Sequence, residues 1–207
     1  MNVQIAMDSE TIGSAVQKAT LVRDYVDVIE MGTGFLYRNG LGVCTEFKRL
    51  FPEKKILADM KLVDGGKHLA EDAFNAGADI VTVLAMGEYE TLAGAVEAAN
   101  ACGKEVLADL IAAGDYTLYR DKMDQLGVHY VCAHMAVDTE KFGNGNIEEF
   151  LKQLKDIKFK AKLALAGGIK VSNIANIAQY SPDLLVVGRA ITQAEDMVAA
   201  AKAFKEA

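Results

Sequence analysis

The chain has 207 residues, of which 51% are hydrophobic and 25% charged, the composition of an ordinary globular domain with enough apolar surface to offset the entropy of ordering. Wholesale disorder is excluded, and two prolines in the whole chain exclude collagen-like and proline-rich architectures. A formal charge of −7 would repel duplex nucleic acid, because that affinity rests on cations meeting phosphates.

In chain order, the opening segment meets an acid, Asp8, without a basic stretch before it, unlike a secretory leader, and no apolar run is long enough to span a bilayer. Eight short β-rich runs follow one another, at 3–7, 26–30, 56–59, 80–84, 106–111, 130–133, 163–166 and 184–187. Helical patterns separate them. Ser9 is expected to cap the first, whose apolar stripe is Val16, Ala19, Leu21 and Val22. Residues 67–76 carry Leu69, Ala70, Ala73 and Phe74 at helical spacing, 93–101 are alanine-rich, Asp115 is expected to cap a further helix, and 147–154 and 197–204 show the same pattern. Gly77, Gly103 and Gly127 stand where helices should end, and 142–146 read as a loop after strand six. Strands alternating with helices imply parallel strands covered on the outside, and units of about 26 residues suit a closed barrel. The expected fold is therefore α/β, a single (β/α)8 barrel domain over 1–207. The alternative, an open doubly wound sheet, lacks a G-x-G-x-x-G after its first strand. Cys44, Cys102 and Cys132 are odd in number and not spaced as metal pairs, so they read as buried free thiols of a cytoplasmic protein.

In a parallel barrel the chemistry sits at the C-terminal ends of the strands. Those ends carry Asp8, Glu30, Asp59 with Lys61 and Asp64, Asp109, and His134. Singly, such acids are most simply helix caps or solvated turns. Recurring at the same end of successive strands, they call for a partner or a cation. Glu30 and Asp59, on adjacent strands, supply two hard oxygen ligands of the kind Mg2+ takes. Lys61 can donate a proton or stabilise developing negative charge, with Asp64 placed to orient it, and His134 suits acid/base work. Gly167-Gly168 and Gly188-Arg189, after the last two strands, offer backbone N–H groups and a guanidinium to a phosphate, though ordinary tight turns would leave the same glycines.

These residues fall into motifs. Gln4-Ile5-Ala6-Met7-Asp8, Val28-Ile29-Glu30-Met31-Gly32-Thr33, the D-x-K-x-x-D run from Asp59 to Asp64, Ala166-Gly167-Gly168-Ile169, and Val186-Val187-Gly188-Arg189 together resemble the orotidine 5′-phosphate decarboxylase suprafamily, in its magnesium-dependent branch, over nearly the whole chain. The resemblance implies a barrel that forms a homodimer, with Asp64 reaching into the partner's site. It also implies Mg2+ held by Glu30 and Asp59, Asp8 on sugar hydroxyls, and Lys61 at a reacting enediolate. Within that branch the chain is more similar to the synthases that join formaldehyde to D-ribulose 5-phosphate than to the decarboxylases of 3-keto-L-gulonate 6-phosphate. Strand five carries Asp109 rather than glutamate, and Val137 stands where the decarboxylases have arginine after the strand-six histidine. Two segments depart from the synthase pattern. Met135-Ala136 replace a threonine and a glycine, and Arg189 follows Gly188 as in the decarboxylases. The first departure leaves open a third reading, a barrel that binds a sugar phosphate without turning it over.

Overall fold

Short β-rich runs with no hairpin turn between them cannot pair antiparallel, so the chain crosses back after each strand and pairs in parallel. In the computed structural model, which describes residues 1–141, 151, 152, 154 and 157–207, eight parallel strands close into a barrel in sequence order. They are β1 (Asn2–Met7), β2 (Val28–Met31), β3 (Lys55–Leu62), β4 (Ile80–Leu84), β5 (Glu105–Asp109), β6 (Tyr130–His134), β7 (Lys162–Ala166) and β8 (Leu184–Val187), with β8 returning to β1. The described helices are α1 (Ile12–Leu21), α2 (Thr33–Asn39), α3 (Gly42–Leu50), α4 (Gly66–Asn75), α5 (Tyr89–Cys102), α6 (Arg120–Leu126), α7 (Val137–Lys141), α8 (Ile174–Ala178), α9 (Arg189–Thr192) and α10 (Met197–Glu206). No helix among the described residues is long and apolar enough to cross a membrane.

The strand register stacks inward side chains in tiers, each drawn from alternate strands. Val28, Ile80, Tyr130 and Leu184 form the lowest tier, and Gln4, Leu57, Leu107 and Ala164 the next. Above them lie Glu30, Thr82, Cys132 and Val186, then Ala6, Asp59, Asp109 and Ala166. The interior thus turns from apolar to ionisable along the strand direction, and the chemistry is pushed to the C-terminal mouth. The opposite faces of the strands pack against the helices in a second, larger core that includes Phe35, Phe47, Leu92 and Phe204, all fully buried.

Several elements differ from the sequence expectation. Thr11, not Ser9, caps α1, accepting from the Ser14 amide. Asp115 caps a 3-10 turn, Tyr116–Tyr119, that leads into α6. After β2 stand two helices, α2 and α3, where the sequence offered no clear pattern, because Gly40 and Gly42 interrupt the periodicity; Phe35 meets Phe47 edge-on at 6.3 Å and fastens the pair. Helix α8 was likewise not anticipated. Cys102 is exposed on α5, whereas Cys44 and Cys132 are buried. Gly103 and Gly127 take left-handed conformations at the ends of α5 and α6, as helix termination requires. The expected loop at 142–146 and most of the expected helix at 147–154 lie outside the described residues.

Candidate active site at the barrel mouth

Strand β3 does not end where its apolar run ends. It continues to Leu62 through an irregularity between Ala58 and Leu62, where Lys61 adopts a φ of +46°. That conformation is costly for a residue with a Cβ and is held only by surrounding contacts. Two are evident. The Lys61 amide donates to Thr82 Oγ1 at 2.8 Å, and the Lys61 ammonium reaches back to both Asp59 oxygens at 2.8 and 2.6 Å. Thr82 Oγ1 in turn donates to Asp59 Oδ1 at 2.8 Å, and Thr33 Oγ1 lies 2.7 Å from Asp59 Oδ2. Burial alone would raise the Asp59 pKa, but Lys61, Thr33 and Thr82 outweigh it and hold the carboxyl below its usual range. Burial likewise disfavours the Lys61 ammonium, yet Asp59 and then Asp109 keep it firmly protonated. Lys61 is therefore a cation and proton donor at neutral pH, not a base.

Strands β5 and β6 complete the other side of the mouth. Asp109 is buried, accepts from the Ile111 amide at 2.9 Å and lies 3.5 Å from the Lys61 ammonium. His134 Nδ1 faces both its oxygens, at 3.1 and 2.9 Å. A carboxylate on Nδ1 fixes the tautomer with that nitrogen protonated and leaves Nε2 as the basic nitrogen of the neutral ring. Beneath the pair sits Cys132, whose thiol burial pushes well above its ordinary pKa.

Strand β2 contributes Glu30, 6% exposed, whose Oε2 accepts from Gln4 Nε2 at 2.6 Å. Burial, then Asp59 and Asp8, push the Glu30 carboxyl well above its usual range. Gln4 Oε1 is buried with no hydrogen-bond partner among the described residues. Asp8 stands at the rim just after β1. Partial desolvation, Asp59 and Glu10 raise its pKa. Its placement depends on Gly32, where a Cβ would lie 2.2 Å from Asp8 Oδ1. Among the described residues Asp8, Glu30, Asp59 and Asp109 share the Lys61 ammonium, so their carboxylate oxygens outnumber its charge. That donor chemistry fits a divalent cation. The floor, lined by Gln4, Glu30, Asp59, Lys61, Thr82 and Asp109 among others, encloses about 20 Å³, room for one water-sized occupant.

The glycine loops close the remaining side. Gly167 and Gly168 both have positive φ, and a Cβ on Gly167 would lie 2.0 Å from the Met135 carbonyl. Gly188 precedes α9 beside Asp8, and Arg189 is exposed. One expectation needs correction. Asp64 does not orient Lys61: it is exposed and accepts from the Gly65 amide at 2.7 Å, while Asp59 and Asp109 hold the ammonium. The sequence motifs include Gln4 and Thr33 without giving them a role, and Thr82 lies outside them, because a hydroxyl or amide that supports a carboxylate leaves no spacing signature. A wider depression of about 370 Å³ at the opposite, N-terminal end is lined by Lys55, Asp79, Lys104, Glu105 and His129. Its charges pair among themselves and with neighbours: Asp79 with Lys48 and Lys104, Glu105 with Lys55 and Lys162. It is a structural network on the face of such barrels that serves stability.

Fold and mouth together define a (β/α)8 barrel with an acidic, lysine-centred site and glycine turns after its last two strands. The comparisons with known proteins agree. Residues 1–204 match the model described as "Orotidine 5'-phosphate decarboxylase / HUMPS family", and the chain belongs to that family. It is 38% identical over 206 residues, all of this chain and 98% of the relative, to a 3-hexulose-6-phosphate synthase of Bacillus subtilis, and 35% identical over 202 residues, 98% and 96% of the two chains, to one of Staphylococcus aureus. Among solved structures, a 3-hexulose-6-phosphate synthase from Salmonella typhimurium superposes with a TM-score of 0.93 at 34% identity, covering 100% of this chain and 97% of that one. A 3-keto-L-gulonate-6-phosphate decarboxylase from Vibrio cholerae gives 0.88 at 29% identity, covering 99% and 95%.

The crowding at Glu30 has a measurable consequence. A carboxyl whose folded pKa is raised binds its proton more tightly in the folded state, so stability falls as pH rises from its unfolded value through its folded one. Glu30→Gln should therefore stabilise the cation-free fold at neutral pH by about 1 kcal/mol or more. The gain over wild type should vanish in mild acid, near the ordinary carboxylate pKa. Urea denaturation in a chelator across that range checks it. An unchanged or lowered midpoint at neutral pH would show that Glu30 is not under electrostatic pressure.

Proposed function

We propose that this chain is a 3-hexulose-6-phosphate synthase, joining formaldehyde to D-ribulose 5-phosphate through an enediolate, in the cytoplasm. The observation that carries the reading is the Asp109–His134 pair set beside the protonated Lys61, an oriented base next to a fixed cation. In this reading Nε2 of His134 takes the proton from the carbon next to the ketone. Asp109 steadies the imidazolium that results. The Lys61 ammonium stabilises the enediolate oxygens, which lose most if left in a low-dielectric mouth without a cation. Asp8 orients sugar hydroxyls. The turns at Gly167-Gly168 and Gly188, with Arg189, grip the phosphate and fix the reacting end in place. Glu30 and Asp59 would hold Mg2+, and that ion, when bound, supplies further positive charge for adjacent sugar oxygens.

The decarboxylase reading keeps one specific observation, Arg189 after Gly188, and structural neighbours of that name. Asp109 in place of glutamate and Val137 in place of arginine favour the synthase. Wild-type protein with Mg2+ should consume formaldehyde in the presence of ribulose 5-phosphate. Lys61→Ala should lose that activity by at least about 10³-fold with its fold intact, and Arg189→Ala should mainly raise KM. Carbon dioxide release from 3-keto-L-gulonate 6-phosphate, with formaldehyde untouched, would reverse the assignment. Sugar-phosphate binding with turnover of neither substrate would support the third reading.

The same proposal includes a homodimer in which Asp64 serves the partner's site. It is supported by exposed apolar side chains at the same end of the barrel, namely Val63 next to Asp64, Met86 in the loop after β4 and Tyr89 at the start of α5. Lys61→Ala and Asp64→Ala should each be inactive alone. Mixed by co-refolding, they should recover about a quarter of wild-type activity, because half the dimers are hybrids and each hybrid has one intact site. No recovery from a mixture that sediments as dimers would mean that Asp64 does not act across the interface.

A further inference from the structure

The barrel mouth has two chemically different walls. The wall from β2 to β4 presents the carboxylates of Glu30 and Asp59 with the hydroxyls of Thr33, at the start of α2, and Thr82, on β4. The wall from β5 and β6 presents Asp109, Cys132 and His134, and one ligand atom from each of these three lies within 4.8 Å of the other two. The backbone sets this convergence. Asp109 is paired in register with Cys132, and His134 follows Cys132 by two residues, so both project to the same inward face. All three sit on strands rather than loops, and Asp109 and Cys132 are buried. Their donor set is a carboxylate oxygen, an imidazole nitrogen and a sulfur. Mg2+ takes oxygen ligands and dehydrates reluctantly, so it does not suit this wall. Zn2+ and Co2+ accept a Cys-His-Asp set readily, in four-coordinate sites with a position left for water or substrate.

We propose that Asp109, Cys132 and His134 form a second metal site, selective for a thiophilic divalent cation such as Zn2+ and separate from the all-oxygen wall. On binding, the Cys132 thiol releases its proton to solvent and its sulfur bonds the ion. The Nδ1–H of His134 gives way to the metal bond, and the neutral ring carries its proton on Nε2 instead. Asp109 exchanges its contact with the imidazole for one with the cation. The Lys61 ammonium, 3.5 Å from Asp109 Oδ2, opposes the ion and limits its affinity. Under the proposed function, on which this consequence rests, a bound Zn2+ would inhibit, because Nε2 of His134 is then protonated and cannot take the substrate's proton. Binding itself does not depend on that function.

The test is a Co2+ titration of the full-length, metal-free protein in excess Mg2+, followed by optical absorption. A single equivalent should bring a near-ultraviolet thiolate-to-cobalt band together with the intense visible bands of a four-coordinate ion. Cys132→Ser should lose the thiolate band, and His134→Gln should weaken Co2+ binding more than about tenfold. Cys102→Ser, on the exposed thiol, should change neither. Absence of the thiolate band in the wild type, or its survival in Cys132→Ser, would overturn the site. Because His134→Gln keeps Cys132, the proposal stays testable if Cys132→Ser fails to fold. A thiolate band in a protein that turns over neither sugar phosphate would uphold the site and defeat the proposed reaction. Normal condensation with no band, and no inhibition by Zn2+, would do the reverse.

Discussion

The Lys61 ammonium lies between two buried carboxylates, at 2.6 Å from Asp59 and 3.5 Å from Asp109. An isolated ion at that depth would shift its pKa and become neutral. Against that penalty Asp59 and Asp109 keep the lysine protonated, and Lys61 with Thr33 and Thr82 holds the Asp59 carboxyl below its usual range. The arrangement also sustains a backbone that would otherwise relax, because the left-handed turn at Lys61 is fixed from one side by Thr82 and from the other by the ammonium's grip on Asp59. Strain, charge and hydrogen bonding are thus coupled at one residue. A change at Thr82 or Asp59 would be felt at the position of the amine.

Around this centre the barrel divides its labour by tier. The lower tiers are apolar except for Gln4, which supports Glu30, and a second apolar core lies between the strands and the helices, so burial there supplies the stability. The upper tiers carry Glu30 and, at the rim, Asp8, both with pKa values raised by their surroundings. A fold selected for stability alone would replace Glu30 with a neutral residue. Under the proposed function, four carboxylates around the Lys61 ammonium are the expected compromise in a site that would take a cation and an anionic sugar in turn.

Much of this was legible in the sequence. Strand number, parallel pairing and the direction of the active end follow from alternation and from acids recurring at strand ends, and Lys61, Asp59, Asp109 and His134 do meet at one mouth. Their pairings were less accessible. Asp64 looked like the natural partner of Lys61 from spacing alone, but the bulge in β3 turns the lysine back toward Asp59. The contact of Asp109 with His134 depends on the register of β5 against β6, which no local pattern encodes. Cys132 is the buried free thiol the sequence suggests, but its place beside Asp109 depends on that same register. Helices α2 and α3 were hidden by glycines that break the helical period, although their phenylalanines are among the most buried side chains in the molecule.

If His134 is the oriented base and Lys61 the cation beside it, the sugar forms its enediolate before any aldehyde is engaged. The direct measurement is proton NMR of ribulose 5-phosphate in D2O with Mg2+ and without formaldehyde. Wild-type protein should exchange one C1 hydrogen for deuterium, and Lys61→Ala and His134→Ala should not. Undiminished exchange in Lys61→Ala, or condensation by the wild type with no exchange at all, would overturn that order of steps.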